Sequence, residues 1–267
     1  MSDVSDWWET DIIDMAPGQI RMRGHPIEEL IGTTSFPQMI WLMLRGDVAS
    51  DAQAQLLEAA LVAAVDHGPQ APSIAAARMA VTCGLPLNGA MASAVNMLDD
   101  VHGGAGEQAV ALYGQIAEAW DGDPGTLSGV VEAQVATWQA AHGRYIPGFG
   151  HRFHTPVDPR APRLLALVDA AAAEGVVAGR FAQIARGVEA ALLAAKGKPV
   201  PMNIDGATAV IFAELGFAAP LARGLFCLSR SVGILAHAWE QQQQGGRNKG
   251  PTPPGYRWTY TGNNPIE

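Results

Sequence analysis

The chain is organised around one polar stretch, Tyr145-Ile-Pro-Gly-Phe-Gly-His151-Arg-Phe-His154-Thr-Pro-Val-Asp158-Pro-Arg160. Three of the four residues before His151 are glycine or proline, which interrupt regular structure, so His151 is predicted to lie on a tightly bent loop. Loops held between helices often carry binding or catalytic groups. The alternative is that residues 147–150 form only a surface turn and that His151 is an ordinary surface residue.

Helical periodicity flanks this loop on both sides. Ser50 and Gln53 have the spacing of a capping box at the start of one helix. Apolar spacing predicts helices over residues 36–44, 50–65, 75–83, 88–99, 107–119, 127–141, 164–174, 179–195, 207–215 and 220–241. Residues 1–36 are loop-like and the tail from Gly245 is irregular. Because no stretch shows sustained strand alternation, the predicted fold is all-α.

Composition limits the class of protein. The 267 residues are 48% hydrophobic and 16% charged, which is typical of a compact helical protein and not of a disordered chain. This length is enough for one large domain or two unequal lobes. A net charge of -9 argues against nucleic acid as a partner.

Cysteine usage and hydropathy indicate the compartment. Cys83 and Cys227 both lie in apolar helical patterns, which argues against a disulfide framework or a cysteine-rich metal site. The first 14 residues are acidic and have no basic segment, so no signal peptide is expected. The most apolar stretch is interrupted by Asp205, Glu214 and Arg223, so no membrane span is expected. The predicted location is the cytoplasm, with no membrane partner.

Three polar islands interrupt the helices, at His102, His151 and Asp205, each next to glycine or proline. One carboxylate and two imidazoles suit removal of a weakly acidic proton beside a carbonyl group. One group acts as base, a second donates to the developing enolate, and a third polarises an electrophilic carbonyl. This pattern predicts carbon–carbon chemistry of the aldol or Claisen type.

Other interpretations of these residues stay open at this point. A metal site is the weaker alternative, because the sequence has no H-E-x-x-H and no i,i+4 histidine pair. Asp205, two residues after Asn203, could instead cap the next helix. Arg230 lies in an apolar helix, where an anionic ligand or an ion pair with Glu214 or Glu240 would each explain a buried charge.

Several motifs, in order, resemble those of the citrate synthase superfamily. They are Arg23-Gly-His-Pro-Ile-Glu-Glu-Leu with Ser35-Phe36, Asp66-His67-Gly, His102-Gly-Gly-Ala, Pro147-Gly-Phe-Gly-His151-Arg with Asp158-Pro-Arg160, Asn203-Ile-Asp205, and Ser229-Arg230-Ser-Val-Gly-Ile-Leu-Ala-His237 with Glu240-Gln241. The resemblance covers nearly the whole chain. It implies a large helical domain over residues 1–103 and 215–267, an inserted small helical domain over 104–214, an active site in the cleft between them, and a homodimer or higher even oligomer.

The resemblance also implies roles for individual residues. His102 would donate to a thioester carbonyl, Asp205 would take or return the proton on the adjacent carbon, and His151 would hold the carbonyl or hydroxyl of a keto acid. Its carboxylates would be bound by His67, Arg160 and Arg230. Coenzyme A, as the thioester substrate, would be bound by Ile146, Pro147, Gly148, Phe149, Gly150, Lys196 and Lys198. No metal is expected.

The resemblance does not fix the direction of the reaction. The chain length and Asp66-His67-Gly68-Pro69 are closer to the citryl-CoA lyase module of ATP-citrate lyase, so citryl-CoA cleavage to acetyl-CoA and oxaloacetate is the first hypothesis. Against this, a synthase keeps a histidine at position 102 and some lyase modules do not. Condensation of the citrate synthase type is the second hypothesis. A non-catalytic CoA-binding helical subunit and a metal-dependent hydrolase are weaker alternatives.

The tail departs from the family pattern. The family places an arginine before a proline where this chain has Gly250-Pro251, or Gly255-Tyr256 in a second register. We therefore expect either a missing carboxylate contact or its replacement by Arg247, Lys249 or Arg257. The keto-acid or acyl partner, and the need for a separate thioester-forming subunit, are left open by the sequence.

Overall fold

A computed structural model describes residues 7–151 and 153–263 of the chain. Within these residues the backbone forms eleven helices and three short strands, so the predicted all-α class is confirmed. The elements are β1 Ile13–Ala16, β2 Gln19–Met22, β3 His25–Pro26, α1 Ile27–Leu30, α2 Phe36–Arg45, α3 Asp51–Ala64, α4 Pro72–Thr82, α5 Leu87–Val95, α6 Ala105–Ala119, α7 Leu127–His142, α8 Arg160–Ala173, α9 Arg180–Lys196, α10 Ile204–Glu214 and α11 Ala219–Gln244.

A small sheet replaces part of the loop predicted for residues 1–36. The strands β1, β2 and β3 pair antiparallel in that order, with Ile13 opposite Met22 and Met15 opposite Ile20. A Pro-Gly turn joins β1 to β2, and Gly18 adopts a positive φ of 77° that favours glycine. The alternation lasts only four residues in β1 and in β2, and β3 has only two residues, so these strands are too short to identify from sequence alone. Residues 1–6 of the predicted loop lie outside the described residues.

Most predicted helices are confirmed, but two that carry site residues begin earlier than predicted. The Ser50–Gln53 capping box is present, with N–O distances of 2.9 and 3.2 Å. Helix α8 begins at Arg160 and not at 164, because a proline in the first turn is compatible with a helix. Helix α10 begins at Ile204 and not at 207, because Asn203 caps it. Helix α5 is shorter than predicted and ends at Val95.

Packing divides the chain into two compact units. Unit 1 comprises Met1–Ala63 and Ala105–Leu225, and unit 2 comprises Ala64–Gly104 and Phe226–Glu267. This partition assigns residues differently from the large and small domains implied by the resemblance, which stay a prediction.

Each unit has its own core. In unit 1, α10 is the central helix, and it packs against α6, α8 and α9. Nine of its residues, Ile204 and the run 206–213, are buried, as expected for a helix enclosed on all sides. In unit 2 the core is built largely from small side chains of α4, α5 and α11, among them Ala77, Ala90, Ala94 and Ala238, which let helices approach closely.

Helix α11 is the one helix of the described residues that is long and apolar enough to cross a membrane, judged by length and composition. Its most apolar 18-residue window has a mean hydropathy of 1.2, and a third of that window is buried inside the protein. Leu225, Ile234 and Ala238 are fully buried. Core helices of water-soluble proteins meet the same criterion, so we interpret α11 as a core helix. The absence of a membrane partner stays a prediction.

Candidate active site

Two polar segments of unit 1 are joined by backbone hydrogen bonds. Gly150 N donates to Pro201 O at 2.7 Å, and Asn203 N donates to Gly148 O at 2.9 Å. The Asn203 side chain adds a third bond, from Nδ2 to Gly150 O at 2.8 Å. The loop that precedes His151 and the segment that leads into α10 therefore lie side by side.

Two glycines make this close approach possible. A Cβ on Gly148 would lie 2.6 Å from the Gly206 Cα, and a Cβ on Gly206 would lie 2.4 Å from the Gly148 carbonyl oxygen. Gly148 also has a positive φ of 83°, which side chains rarely adopt. Both positions therefore require glycine if the two segments are to meet.

Asp205 occupies the first turn of α10 and is not its cap. The cap is Asn203, whose Oδ1 accepts from Asp205 N at 3.0 Å and from Gly206 N at 3.2 Å. The alternative in which Asp205 serves only as a helix cap is therefore wrong. A carboxylate in the first turn is stabilised by the positive end of the helix dipole.

His151 is held by the backbone that follows it. Its Nδ1 accepts from Phe153 N and from His154 N, both at 3.0 Å. A backbone N–H can only donate, so Nδ1 carries the lone pair and Nε2 carries the proton of the neutral ring. His151 therefore presents an N–H donor that can bind a carbonyl or hydroxyl oxygen.

Arg160 is held by a buried carboxylate. Asp158 has no exposed surface and accepts from Arg160 Nε at 2.9 Å and from Nη2 at 2.8 Å. It also accepts from Ile204 N at 3.2 Å, which links this ion pair to the first turn of α10. Burial alone would raise the pKa of Asp158, but the hydrogen bonds and the charge of Arg160 lower it below its ordinary value.

A cleft of about 520 Å³ lies beside the His151 loop. It is lined by Tyr145, Ile146, Phe149, Gly150, His151, Leu192, Lys196 and Val200. Four of the residues predicted to bind coenzyme A are therefore in its wall. Of the other three, Pro147 and Gly148 are buried within the loop itself, and Lys198 is exposed.

In unit 2, His102 is held by the first turn of α4. Its Nε2 accepts from Ser73 N at 3.2 Å and lies 2.9 Å from Ser73 Oγ. The backbone donor leaves the ring proton on Nδ1 in the neutral form. Burial, and then the positive charge of Arg230, lower the pKa of His102 below its ordinary value. His102 is thus a neutral N–H donor near pH 7.

Arg230 lies in α11 with only 5% of its surface exposed. Its Nε donates to the carbonyl of the last α3 residue at 3.1 Å, and its guanidinium stacks 4.8 Å from the centre of the Phe226 ring. The two acids considered as ion-pair partners have other contacts. Glu240 pairs with Arg78, and Glu214 accepts from backbone N–H groups of the first turn of α9.

His67 follows the C-terminal end of α3, as predicted, and is exposed. The preceding residue, Asp66, accepts from Gly68 N at 3.0 Å and pairs with His237 Nε2 at 3.2 Å. Burial would raise the pKa of Asp66, but these hydrogen bonds lower it below its ordinary value.

The structure thus places the predicted residues in two sets. Unit 1 holds His151, Asp205, Arg160 and the cleft, and unit 2 holds His67, His102 and Arg230. Sequence reasoning gave no role to the residues that fix these side chains, which are Asp66, Ser73, Asp158, Asn203 and His237. For Asn203 the signal was available, because an asparagine just before a helical pattern is a preferred cap.

Two further predictions concern metals and the tail. The described residues contain no group of three or more His, Cys, Asp or Glu side chains arranged to hold a metal ion. The expectation that no metal takes part stays a prediction. At the start of the tail, Asn248 N and Lys249 N donate to Thr82 at 2.7 and 3.0 Å, and the side chains of Arg247, Lys249 and Arg257 are exposed.

Comparison with known proteins identifies a matching family and similar proteins. The family described as "Citrate synthase, C-terminal domain" matches residues 43–251. The citrate synthase of Saccharolobus solfataricus is 28% identical over 189 residues, which are 70% of this chain and 48% of that protein. The citrate synthase of Haloferax volcanii is 28% identical over 202 residues, 75% of this chain and 50% of that protein. The chain thus spans about half the length of these relatives.

Solved structures extend the likeness along the chain. The structure of citryl-CoA lyase from Hydrogenobacter thermophilus superposes with a TM-score of 0.84 and 31% identity, covering 97% of this chain and 96% of that one. ATP citrate lyase of Methanosaeta concilii, in complex with (3S)-citryl-CoA, matches 98% of this chain and 45% of that one, with a TM-score of 0.79. At 20% identity this second match shows the fold alone.

Proposed function

Because the chain belongs to the citrate synthase C-terminal domain family, we propose that it is an enzyme that cleaves a citryl-CoA-type thioester to acetyl-CoA and oxaloacetate. The observation that carries this proposal is the likeness to citryl-CoA lyase, which extends over 96% or more of both chains at 31% identity. Such a reaction needs acid–base groups. They are available here as the hydrogen-bonded imidazoles of His102 and His151, each with one N–H donor, and the carboxylate of Asp205.

The proposed chemistry passes through an enolate. When the carbon–carbon bond of citryl-CoA breaks, its electrons move into the thioester, and negative charge develops on the thioester oxygen. The Nδ1–H of His102 would donate to that oxygen, because donors aimed at developing charge lower the barrier most. Asp205 would return a proton to the enolate carbon in cleavage and remove it in condensation. In cleavage the substrate hydroxyl would give up its proton to solvent as its carbon becomes a carbonyl, which balances the proton that Asp205 delivers to the enolate carbon. His151 Nε2–H would donate to the resulting oxygen, and condensation would run the same transfers in reverse.

Three cationic or donor side chains would bind the carboxylates of the keto acid. Asp158 fixes the Nε–Nη2 edge of Arg160, and this orients the other edge of the guanidinium as a fork for a carboxylate. Arg230 would bind a second carboxylate, and His67 would add a donor.

Coenzyme A would occupy the cleft of about 520 Å³ in unit 1. Apolar surface from Ile146, Phe149 and Leu192 suits the adenine ring, and Lys196 supplies a positive charge for a phosphate. Lys198 stays a second candidate for the phosphates. The thioester is a substrate here and not a resident cofactor.

We further propose a homodimer as the working unit, located in the cytoplasm. Helix α11 carries four exposed apolar side chains at a spacing of four, three and four residues, which places them on one face. These are Leu228, Val232, Leu235 and Trp239, with exposed fractions of 41 to 59%. A second copy of the chain would cover this face.

Two parallel assays test the proposed reaction. Purified protein is mixed with citryl-CoA in one assay and with acetyl-CoA plus oxaloacetate in the other, and thioester and free CoA are followed separately. Conversion of citryl-CoA to acetyl-CoA and oxaloacetate, without release of free CoA, is the expected result. Citrate plus free CoA from the second mixture would instead establish condensation of the citrate synthase type. Binding of CoA without either reaction would favour a non-catalytic subunit.

A further inference from the structure

Helix α11 holds the chain immediately before His67. Arg230 Nε donates to the Ala64 carbonyl at 3.1 Å. One turn further along the helix, a Cβ on Gly233 would lie 2.1 Å from the Val65 carbonyl oxygen, so the helix backbone touches the chain directly. Successive turns of α11 therefore contact successive residues of the segment that leads to His67.

The next turn of α11 carries the contact closest to His67. His237 Nε2 lies 3.2 Å from Asp66 Oδ1. The other oxygen of Asp66 accepts from Gly68 N at 3.0 Å, and the backbone N–H of His67 also contributes a hydrogen bond to this carboxylate. The Asp66 carboxylate therefore binds the backbone N–H groups of His67 and Gly68, and it also contacts the His237 ring.

Arg78 fixes which nitrogen of His237 carries the proton. Its Nη1 lies 3.2 Å from His237 Nδ1, and arginine can only donate, so Nδ1 accepts and the proton is on Nε2, facing Asp66. Arg78 is in turn held by Glu240 and by Gln244 Oε1 at 2.7 Å. Arg78 thus donates to His237, and His237 donates to the Asp66 carboxylate, which also accepts from the backbone N–H groups of His67 and Gly68.

From this geometry we propose that His237 is a positioning residue that orients His67, through the Asp66 carboxylate, toward a carboxylate of the keto acid. His237 itself touches no substrate. The inference rests on the proposed function, because that function gives His67 its ligand. The chain of contacts ends on the His67 backbone, so loss of His237 releases the segment that aims the imidazole.

Two substitutions at position 237 test the inference by kinetics. His237→Ala removes the donor to Asp66, and His237→Gln keeps an N–H donor near the position of Nε2. We expect the alanine variant to raise KM for citryl-CoA about tenfold or more, with a smaller change in kcat, because a misplaced binding group weakens substrate binding. The glutamine variant is expected to recover most of this loss. His142→Ala, on α7, is the control and should match the wild type.

A double-mutant cycle separates positioning from general structural support. If His237 acts through His67, then adding His237→Ala to His67→Ala changes KM no further. If His237 merely supports the fold, the increases in KM caused by His67→Ala and by His237→Ala multiply in the double variant. The inference would be overturned if the two increases in KM multiply, or if His237→Ala leaves KM unchanged.

An NMR measurement decides the inference even if neither reaction is catalysed. In protein labelled with ¹³C at histidine Cε1, the His67 signal is assigned from its loss in His67→Gln. We expect this signal to shift in His237→Ala and to overlay the wild-type signal in His237→Gln. An unshifted His67 signal in His237→Ala would overturn the inference, whereas failure of both assays with shifted signals would overturn only the proposed function.

Discussion

At the residue scale, the imidazoles of His102 and His151, which we propose to be catalytic, are each held in one tautomer by backbone N–H groups. His151 is held by Phe153 and His154, only two and three residues away, whereas His102 is held by Ser73, which lies 29 positions earlier. The sequence identified both histidines as candidates because glycine flanks them. It did not reveal their tautomers, since the partner of His102 is brought near only by the tertiary fold.

The first prediction concerns the titration of His102. Burial and the charge of Arg230 lower its pKa, so we expect it to titrate below 6.5, the ordinary value for histidine. Between these two pKa values the unfolded chain binds more protons, so the free energy of unfolding falls as pH drops from 6.5 through the folded pKa. Histidine NMR measures the titration, and Arg230→Gln should raise the pKa. A His102 pKa of 6.5 or above in the wild type would contradict this account.

A second prediction concerns Asp158, which sequence reasoning quoted in a motif without giving it a role. Asp158→Asn leaves Arg160 without its buried partner, and we expect a loss of about 3 kcal/mol in the free energy of unfolding, measured with denaturant. Because the pKa of Asp158 is lowered, its contribution is present above pH 3.8 and is lost as pH falls through the folded value. The free energy of unfolding of Asp158→Asn should therefore depend less on pH in the acid range than that of the wild type.

The matched control for Asp158→Asn is Asp169→Asn. Asp169 pairs with Arg186 through two bonds, at 3.0 and 2.7 Å, but both side chains are about half exposed. An exposed ion pair contributes less than about 1 kcal/mol to the free energy of unfolding, so a smaller loss is expected in this variant. Equal losses in the two variants would show that the burial of Asp158 is unimportant.

At the element scale, the site of unit 1 depends on the contact between the His151 loop and the first turn of α10. The sequence predicted a bent loop and a helix after residue 206, but it did not show that they meet. That contact needs glycine at 148 and at 206, two positions with the whole of α8 and α9 between them in sequence. The short strands of the N-terminal sheet were missed for a related reason, because pairing with a neighbour stabilises four residues that alone favour no structure.

The third prediction tests this contact with alanine in place of glycine. A Cβ at Gly206 would lie 2.4 Å from the Gly148 carbonyl oxygen, so Gly206→Ala must push the loop away. We expect a loss of up to about 3 kcal/mol in the free energy of unfolding and weaker binding of CoA, measured by calorimetry. Gly129→Ala, on α7, is the control, because a Cβ there meets nothing within 4 Å. Its helix propensity predicts a gain of up to about 1 kcal/mol. Unchanged stability and CoA affinity in Gly206→Ala would contradict the contact.

At the scale of the whole molecule, composition and periodicity were enough to predict the all-α class, because long amphipathic helices leave a clear pattern. The boundaries between the two units could not be predicted from composition or periodicity. The boundaries at 63–64 and 225–226 fall inside α3 and α11, where no glycine- or proline-rich linker marks them. The third boundary, at 104–105, lies beside glycines at 103, 104 and 106. The oligomeric state is likewise an inference from exposed apolar surface and from the resemblance.

The fourth prediction tests the homodimer. Sedimentation velocity should give twice the 28.0 kDa chain mass for the wild type. Val232→Asp combined with Leu235→Asp places two charges on the apolar face of α11, and we expect the mass to fall to that of one chain. Val62→Asp, at an exposed valine of α3, is the control and should stay dimeric. A wild-type protein that sediments as a monomer would contradict the proposed assembly.

We propose that Asp205 moves the proton on the carbon next to the thioester, and replacing its carboxylate by an amide tests this role. Citryl-CoA disappearance is followed in wild type and in Asp205→Asn, with acetyl-CoA and free CoA quantified separately. We expect acetyl-CoA as the product and a kcat about 10²–10⁴-fold lower in the variant, with CoA affinity unchanged. Wild-type protein that releases only free CoA, or a variant that cleaves citryl-CoA at the wild-type rate, would contradict it.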